Sequence, residues 1–280
     1  MLPLVQTPEP IAVEVVVGYS VAGKHVLVTG ASTGIGEALA VGFAEAGAVV
    51  GICARREPEL AAVLDRVRAY SPESRMWTID LDDLDALEPF AAQVSVEMGG
   101  VDVLVNNAGI PKRRNVSDLD PDTVEAVMRL NYFSPVRLMI AFLPELIERS
   151  GRIVNISSVA ARLGPPGEAA YTASKAALTG FSESMQVDLG VAGHDVGVHV
   201  VNPGVIDTRL FHLPDNDASI SPLEPLPPSA MVEPVLTMLR DGTFEIYVPG
   251  WFADIVGGRF PDTGAFLAGS IAWARDQAQS

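Results

Sequence analysis

The sequence predicts a single α/β domain, a doubly wound parallel sheet with helices on both faces. From residue 24 onward, short, mostly apolar strands alternate with amphipathic helices. A glycine-rich turn also joins the first strand to the first helix. Continuously apolar strands are buried on both faces, and parallel pairing needs crossover connections, expected right-handed, whose helices do the covering.

Each element follows from that rhythm. A strand over 25–30 leads into a helix over 34–46, then a strand over 48–54 and a helix over 57–69, which makes one βαβ unit. Strands over 75–80, 101–109 and 151–158 alternate with helices over 84–97 and 121–147. A long helix over 171–189, a strand over 196–204, a helix near 234–240 and a strand over 244–250 complete the sheet. Residues 1–22 read as a loosely ordered leader, since Pro3, Pro8 and Pro10 prevent a helix and the strand-like stretch after them is isolated. No repeat or low-complexity linker divides residues 23–250, and 251–280 form an extension with helical spacing of Phe266, Leu267, Ile271 and Trp273. That extension could pack on the domain, cap the substrate cleft or join subunits, and packing or subunit contact is expected rather than a part in catalysis.

Composition excludes several functions. The 280 residues are 48% hydrophobic and carry 19 basic against 35 acidic side chains, a net charge of −16 that repels phosphate backbones and anionic membranes, so no nucleic-acid partner is expected. The densest basic run, Lys112-Arg113-Arg114, is short and reads as a solvated loop. No apolar run is long enough for a membrane span, no signal peptide is apparent, and lone Cys53 in an apolar run reads as a buried, inert thiol. These features predict a cytoplasmic protein. The four histidines are scattered and the Asp80 to Asp83 run reads as a strand end with a helix cap, so no metal site is expected.

The turn Thr29-Gly30-Ala31-Ser32-Thr33-Gly34-Ile35-Gly36 suits a phosphate: Gly30 permits a tight turn, Gly34 lets the backbone approach a pyrophosphate, and Gly36 lets helix and strand pack closely. The helix N-terminus adds N–H donors. With the spacing TGxxxGxG and Asn106-Asn107-Ala108-Gly109 downstream, the chain closely resembles the classical short-chain dehydrogenases/reductases (SDR), a Rossmann-type family. Further matches follow in family order: Asn131, the serine strand over 151–158, Tyr171-Thr172-Ala173-Ser174-Lys175, and Asn202-Pro203-Gly204-Val205-Ile206-Asp207-Thr208.

Moving a hydride between carbon and a nicotinamide requires a proton to move at the oxygen. A tyrosine has an ordinary pKa of about 10, and an ammonium one helical turn away, as Lys175 is from Tyr171, is expected to lower it. The resemblance further implies that Lys175 bonds the nicotinamide ribose, that Asn131 holds a relay water, and that a serine donates to the substrate oxygen. Ser157 and Ser158, adjacent on a strand, should face opposite ways. The family's usual choice is the second, Ser158, with Ser157 the runner-up. The resemblance also places Asp80 and Leu81 at the adenine, and Gly30, Ser32, Thr33, Gly34, Ile35, Gly36, Asn107, Ala108, Gly109, Pro203, Gly204, Val205 and Thr208 around the rest of the cofactor.

At the end of the second strand stands Arg55-Arg56 where a carboxylate would select a ribose 2′-hydroxyl. The guanidinium fork of Arg55 suits a 2′-phosphate, so NADP(H) is expected in preference to NAD(H), although Thr33 stands where NADP-preferring relatives often carry a basic residue. Residues 209–230, with five prolines and apolar Leu210, Phe211, Leu213, Ile220, Leu223 and Leu226, are expected to form a lid over a hydrophobic substrate. The expected function is NADP(H)-dependent interconversion of a ketone or aldehyde and an alcohol on a small molecule, in a homodimer or homotetramer. Alternatives are an NAD-dependent alcohol dehydrogenase, a catalytically silent nucleotide-binding or scaffold protein on the same fold, and, as a minor one, epimerisation or dehalogenation. The Asn131, Ser158, Tyr171 and Lys175 set favours an enzyme.

Overall fold

The computed structural model describes residues 18–213, 216–217 and 221–277; the side chains of Phe211 and His212 lie outside the described set. The expected leader strand falls almost wholly on residues outside it, as does Ile220 of the expected lid.

Seven strands form one parallel sheet in the order β3-β2-β1-β4-β5-β6-β7: β1 His25–Thr29, β2 Val49–Ala54, β3 Arg75–Thr78, β4 Val103–Asn106, β5 Arg152–Ile156, β6 Gly197–Pro203 and β7 Glu245–Val248. The period of two along each strand divides the core. Val26, Val28, Val103, Val105 and Val154 face α1 (Gly34–Glu45) and α2 (Glu57–Arg68) through Leu39, Phe43, Leu60 and Val63. On the other side, Leu27, Leu104 and Ile153 face α3 (Leu87–Met98), α5 (Ser134–Glu148) and α7 (Ala169–Val191) through Phe90, Phe142 and Leu178. Reversal of strand order between β1 and β4 opens a crevice at the carboxyl ends of the strands, where such sheets bind ligands.

The structure departs from the sequence expectations in a few places. The helix expected over 121–147 is broken into α4 (Pro121–Met128), one π-helical turn over Arg129–Phe133, and α5. Two short helices escape the apolar periodicity: α6 (Ala160–Leu163) spans about one turn, and α9 (Phe252–Arg259) contains Gly257-Gly258. The end of the leader is packed, not loose: Val21 enters the core and the Tyr19 ring lies under the Arg152 guanidinium, 4.5 Å from ring centroid to Cζ. The segment before α8 (Val232–Asp241) is tied to the sheet side by a bridge between Ile206 and Leu226, and α10 (Thr263–Gln277) ends the described chain. No helix among the described residues is long and apolar enough to cross a membrane.

Cys53, on β2, is fully buried, and burial pushes its thiol up to about 12. Alkylation of this single thiol at pH 8 should therefore be negligible in the native protein and complete in denaturant, as read by mass spectrometry; rapid native labelling would contradict the packing around β2.

Candidate active site

The site begins where β1 ends. Thr29 Oγ1 donates to the Val105 carbonyl at 3.2 Å and accepts the N–H groups of Asn107 (2.9 Å) and Ala108 (3.2 Å), locking the glycine turn to the end of β4. Gly30 has φ +64, and a Cβ there would stand 2.7 Å from the Ala108 Cα. At Gly36 the obstacle is closeness, since a Cβ would lie 2.4 Å from Asn107 Nδ2 and 2.6 Å from the Gly30 carbonyl oxygen. Helix α1 starts immediately after the turn, and its N-cap, Thr33, makes no side-chain cap. The first-turn N–H groups of α1 are therefore left for an anion.

The basic pair at the end of β2 divides unequally. Arg56 is laid across the turn, its Nη2 donating to Ser32 Oγ at 3.0 Å and Thr33 Oγ1 at 3.4 Å while Nη1 holds Glu59 at 2.7 Å. Arg55, expected to be the principal phosphate ligand, is 61% exposed and reaches Asp80 at 3.9 Å. The guanidinium fixed at the turn is thus that of Arg56. Beyond it, Leu81 is buried beside Asp80 at the rim, and Pro203, Gly204, Val205 and Thr208 form the opposite side after β6. Thr208 closes against the turn, its Cγ2 lying 3.0 Å from where a Gly34 Cβ would be.

At the far end stand the polar residues of β5 and α7. The strand ends at Ile156, so the serines are in the turn beyond it, yet they still diverge. Ser157 Oγ hydrogen-bonds Thr179 Oγ1 at 2.9 Å, inside the packing, whereas Ser158 Oγ accepts the Ala160 N–H at 3.1 Å and faces the same cavity as the phenol of Tyr171. Lys175 follows one turn later on α7, its Nζ donating to the Ile156 carbonyl at 2.7 Å and lying 5.8 Å from the Tyr171 ring centroid. Burial pushes the Tyr171 phenol far above its ordinary value; nearby Glu168 adds to this, and Ser158 and Arg113 oppose it. Burial also lowers Lys175 to about 8. The expectation that Lys175 brings Tyr171 down is corrected here: desolvation dominates, and the lysine proton is directed at a backbone carbonyl.

The glycine turn and the Ser158–Tyr171–Lys175 group line one cavity of about 1010 Å³, which every proposed cofactor and catalytic residue enters except Gly36 and Asn131. Those two stand behind its wall. Asn131 is fully buried in the π-helical turn; its Oδ1 accepts the Ile110 N–H at 2.8 Å, and its Nδ2 donates to the Ile110 carbonyl (2.9 Å) and Ser174 Oγ (3.0 Å). It clamps the strand-end loop to α7, and the extra residue of a π turn is what aims a side chain inward here.

The sequence reading missed part of this wall. Arg113, expected in a solvated loop, is 4% exposed and lines the cavity, as does Glu168. Its position just after Asn107-Ala108-Gly109-Ile110-Pro111 was the available signal; for Glu168 it was the spacing of one helical turn before Tyr171. Trp251, Phe252 and Ile255 of the α9 region and Phe266, Ser270 and Trp273 of α10 also face the cavity, so the C-terminal extension walls the cleft.

Residues 24–217 match the short chain dehydrogenase family. A short chain dehydrogenase of Pseudocercospora fijiensis is 38% identical over 207 residues, 72% of this chain and 66% of that protein. A dehydrogenase/reductase SDR family protein 7-like of Drosophila melanogaster is 41% identical over 195 residues, 67% of this chain and 59% of that protein. The chain thus spans less than two thirds of the length of these curated relatives. Among solved structures, a short chain dehydrogenase from Burkholderia cenocepacia in complex with NADP superposes with a TM-score of 0.76 at 29% identity, over 89% of this chain and 98% of that one. A Burkholderia phymatum short chain dehydrogenase/reductase in complex with NAD shares the fold, with a TM-score of 0.80 at 23% identity over 88% and 95% of the two chains. From the family match and the architecture together, the chain belongs to the short-chain dehydrogenase/reductase family of oxidoreductases.

Proposed function

We propose that this protein interconverts a ketone or aldehyde and an alcohol on a bulky, apolar small molecule, using NADP(H) and Tyr171 as the acid/base. The observation that carries the reading is that Tyr171 and Ser158 line the same cavity as the glycine turn, with Lys175 Nζ 5.8 Å from the Tyr171 ring centroid. A cofactor pyrophosphate fits the turn, because Gly30 and Gly36 leave the space that a Cβ would fill and the α1 N-terminus offers its amides. A nicotinamide cofactor held there would supply or accept the hydride. Ser158 and Tyr171 both direct a hydroxyl at the substrate oxygen, Ser158 holding it and Tyr171 delivering or removing its proton. Lys175 would bond the cofactor ribose, while Asn131 keeps the Ile110 wall in register with α7. An apolar substrate is favoured by Leu163, Leu213, Trp251, Phe266 and Trp273 around the cleft.

Selection of NADP(H) rests on Arg56 held at the turn, with Arg55 at the rim. Arg56→Asp should weaken NADPH binding by about ten- to a hundred-fold, the equivalent of one lost charge-assisted contact, and leave NADH less affected; Arg55→Asp should act in the same direction but more weakly. Fluorescence titration of both cofactors tests this, and a wild-type protein that prefers NADH would refute the assignment. The activity itself is tested by following NADPH absorbance with ketones and aldehydes, and NADP+ reduction with alcohols.

A further inference from the structure

Arg113 has no part in the reaction just proposed, yet its placement is closely determined. Its N–H donates to Asn216 Oδ1 at 3.0 Å, its carbonyl accepts the Asp217 N–H at 3.0 Å, and its Nε donates to the Asp217 carbonyl at 3.0 Å. The Asp217 carboxylate is in turn gripped by Arg114 Nη1 (3.1 Å) and the Asn115 N–H (3.0 Å). The loop after β4 and residues 216–217 are thereby fastened together, with a buried guanidinium on the cavity side.

Glu168 occupies the N-cap position of α7, but its side chain makes no cap there. It faces the same cavity, where burial raises its pKa and Arg113 opposes that rise. It stands three positions before Tyr171, so both lie on one side of the helix start. The groups around the phenol are thus Ser158 from the turn after β5, Lys175 and Glu168 from α7, and Arg113 from the loop after β4. On the wall of this cleft, the anion and the cation act on a developing phenolate with opposite sign.

We propose that Arg113 and Glu168 are oppositely acting positioning residues for proton transfer at Tyr171, and that Asp217 holds Arg113 in place for it. The proposal rests on Tyr171 being the acid/base. It follows that each charge moves the pH at which alcohol oxidation rises, because that step needs the phenolate. Removing the cation destabilises the phenolate and moves the rise to higher pH; removing the anion moves it to lower pH.

The test is the pH profile of kcat/KM for alcohol oxidation in wild type, Arg113→Met, Arg113→Lys, Glu168→Gln and Asp217→Ala, with NADP+ affinity and Tm measured alongside. Arg113→Met should shift the rise upward and Glu168→Gln downward, each by about one pH unit, with Asp217→Ala following Arg113→Met more weakly and Arg113→Lys restoring most of the wild-type profile. NADP+ affinity should be unchanged throughout. A merely structural role would lower activity or Tm without moving the two profiles apart. Profiles that stay in place, or shift in the same direction, would overturn the proposal, and Glu168→Gln decides it even if Arg113→Met fails to fold. Tyr171→Phe run in parallel separates the two levels: retained turnover refutes the acid/base role itself, whereas an inactive Tyr171→Phe with unmoved profiles refutes only the roles of Arg113 and Glu168.

Discussion

Tyr171→Phe should lower kcat by about 10²–10⁴-fold, the usual contribution of a positioned acid/base, while the affinity for NADP(H) stays near that of wild type. The substitution removes only the phenol hydroxyl; the ring keeps its place on α7 beside Lys175. Lys175→Ala should behave differently and impair both turnover and cofactor binding. Its ammonium is buried and anchored on the Ile156 carbonyl, so its loss removes a charge near the phenol and a donor from the cavity together. Steady-state kinetics with cofactor titration of both variants distinguishes these outcomes, and a Tyr171→Phe protein with most of its kcat would exclude Tyr171 as the acid/base.

The second large effect is expected far from the chemistry, at Gly36. An added methyl would collide with Asn107 Nδ2, which donates to the carbonyls of Thr29 (2.9 Å) and Gly30 (3.1 Å). Both obstacles are backbone or backbone-anchored, so the cost cannot be relieved by one side chain moving. Gly36→Ala should destabilise the fold by about 1–3 kcal/mol through overpacking and, by displacing the turn, abolish measurable NADPH binding. Thermal melts and fluorescence titration give the two readouts. Normal NADPH affinity in Gly36→Ala would mean that the turn is not the phosphate cradle.

The parallel sheet and its layers were legible because strands buried on both faces, such as β2 and β4, are mostly apolar, and helices alternate with the strands at regular spacing. The glycine turn and the Tyr171–Lys175 pair were legible as local patterns. What stayed hidden depends on tertiary packing. The π-helical turn that carries Asn131 differs from an α-helix by one residue per turn, which apolar periodicity does not register. Arg113 looked solvated because its local composition is basic; its contacts with Asn216 and Asp217, about a hundred residues on, are tertiary and leave no local signature. Arg55 and Arg56 are equivalent as sequence, and the geometry at the end of β2 alone separates the rim residue from the one held on the turn.

The most direct measurement is NADPH-coupled turnover by the full chain across a series of ketones graded from small and polar to bulky and apolar, with NADPH binding measured on the same preparation. The account predicts turnover whose kcat/KM rises with apolar size and vanishes in Tyr171→Phe. NADPH that binds tightly while no ketone in the series, and no alcohol with NADP+, is turned over would contradict it, and would mark the chain as a nucleotide-binding protein without this chemistry.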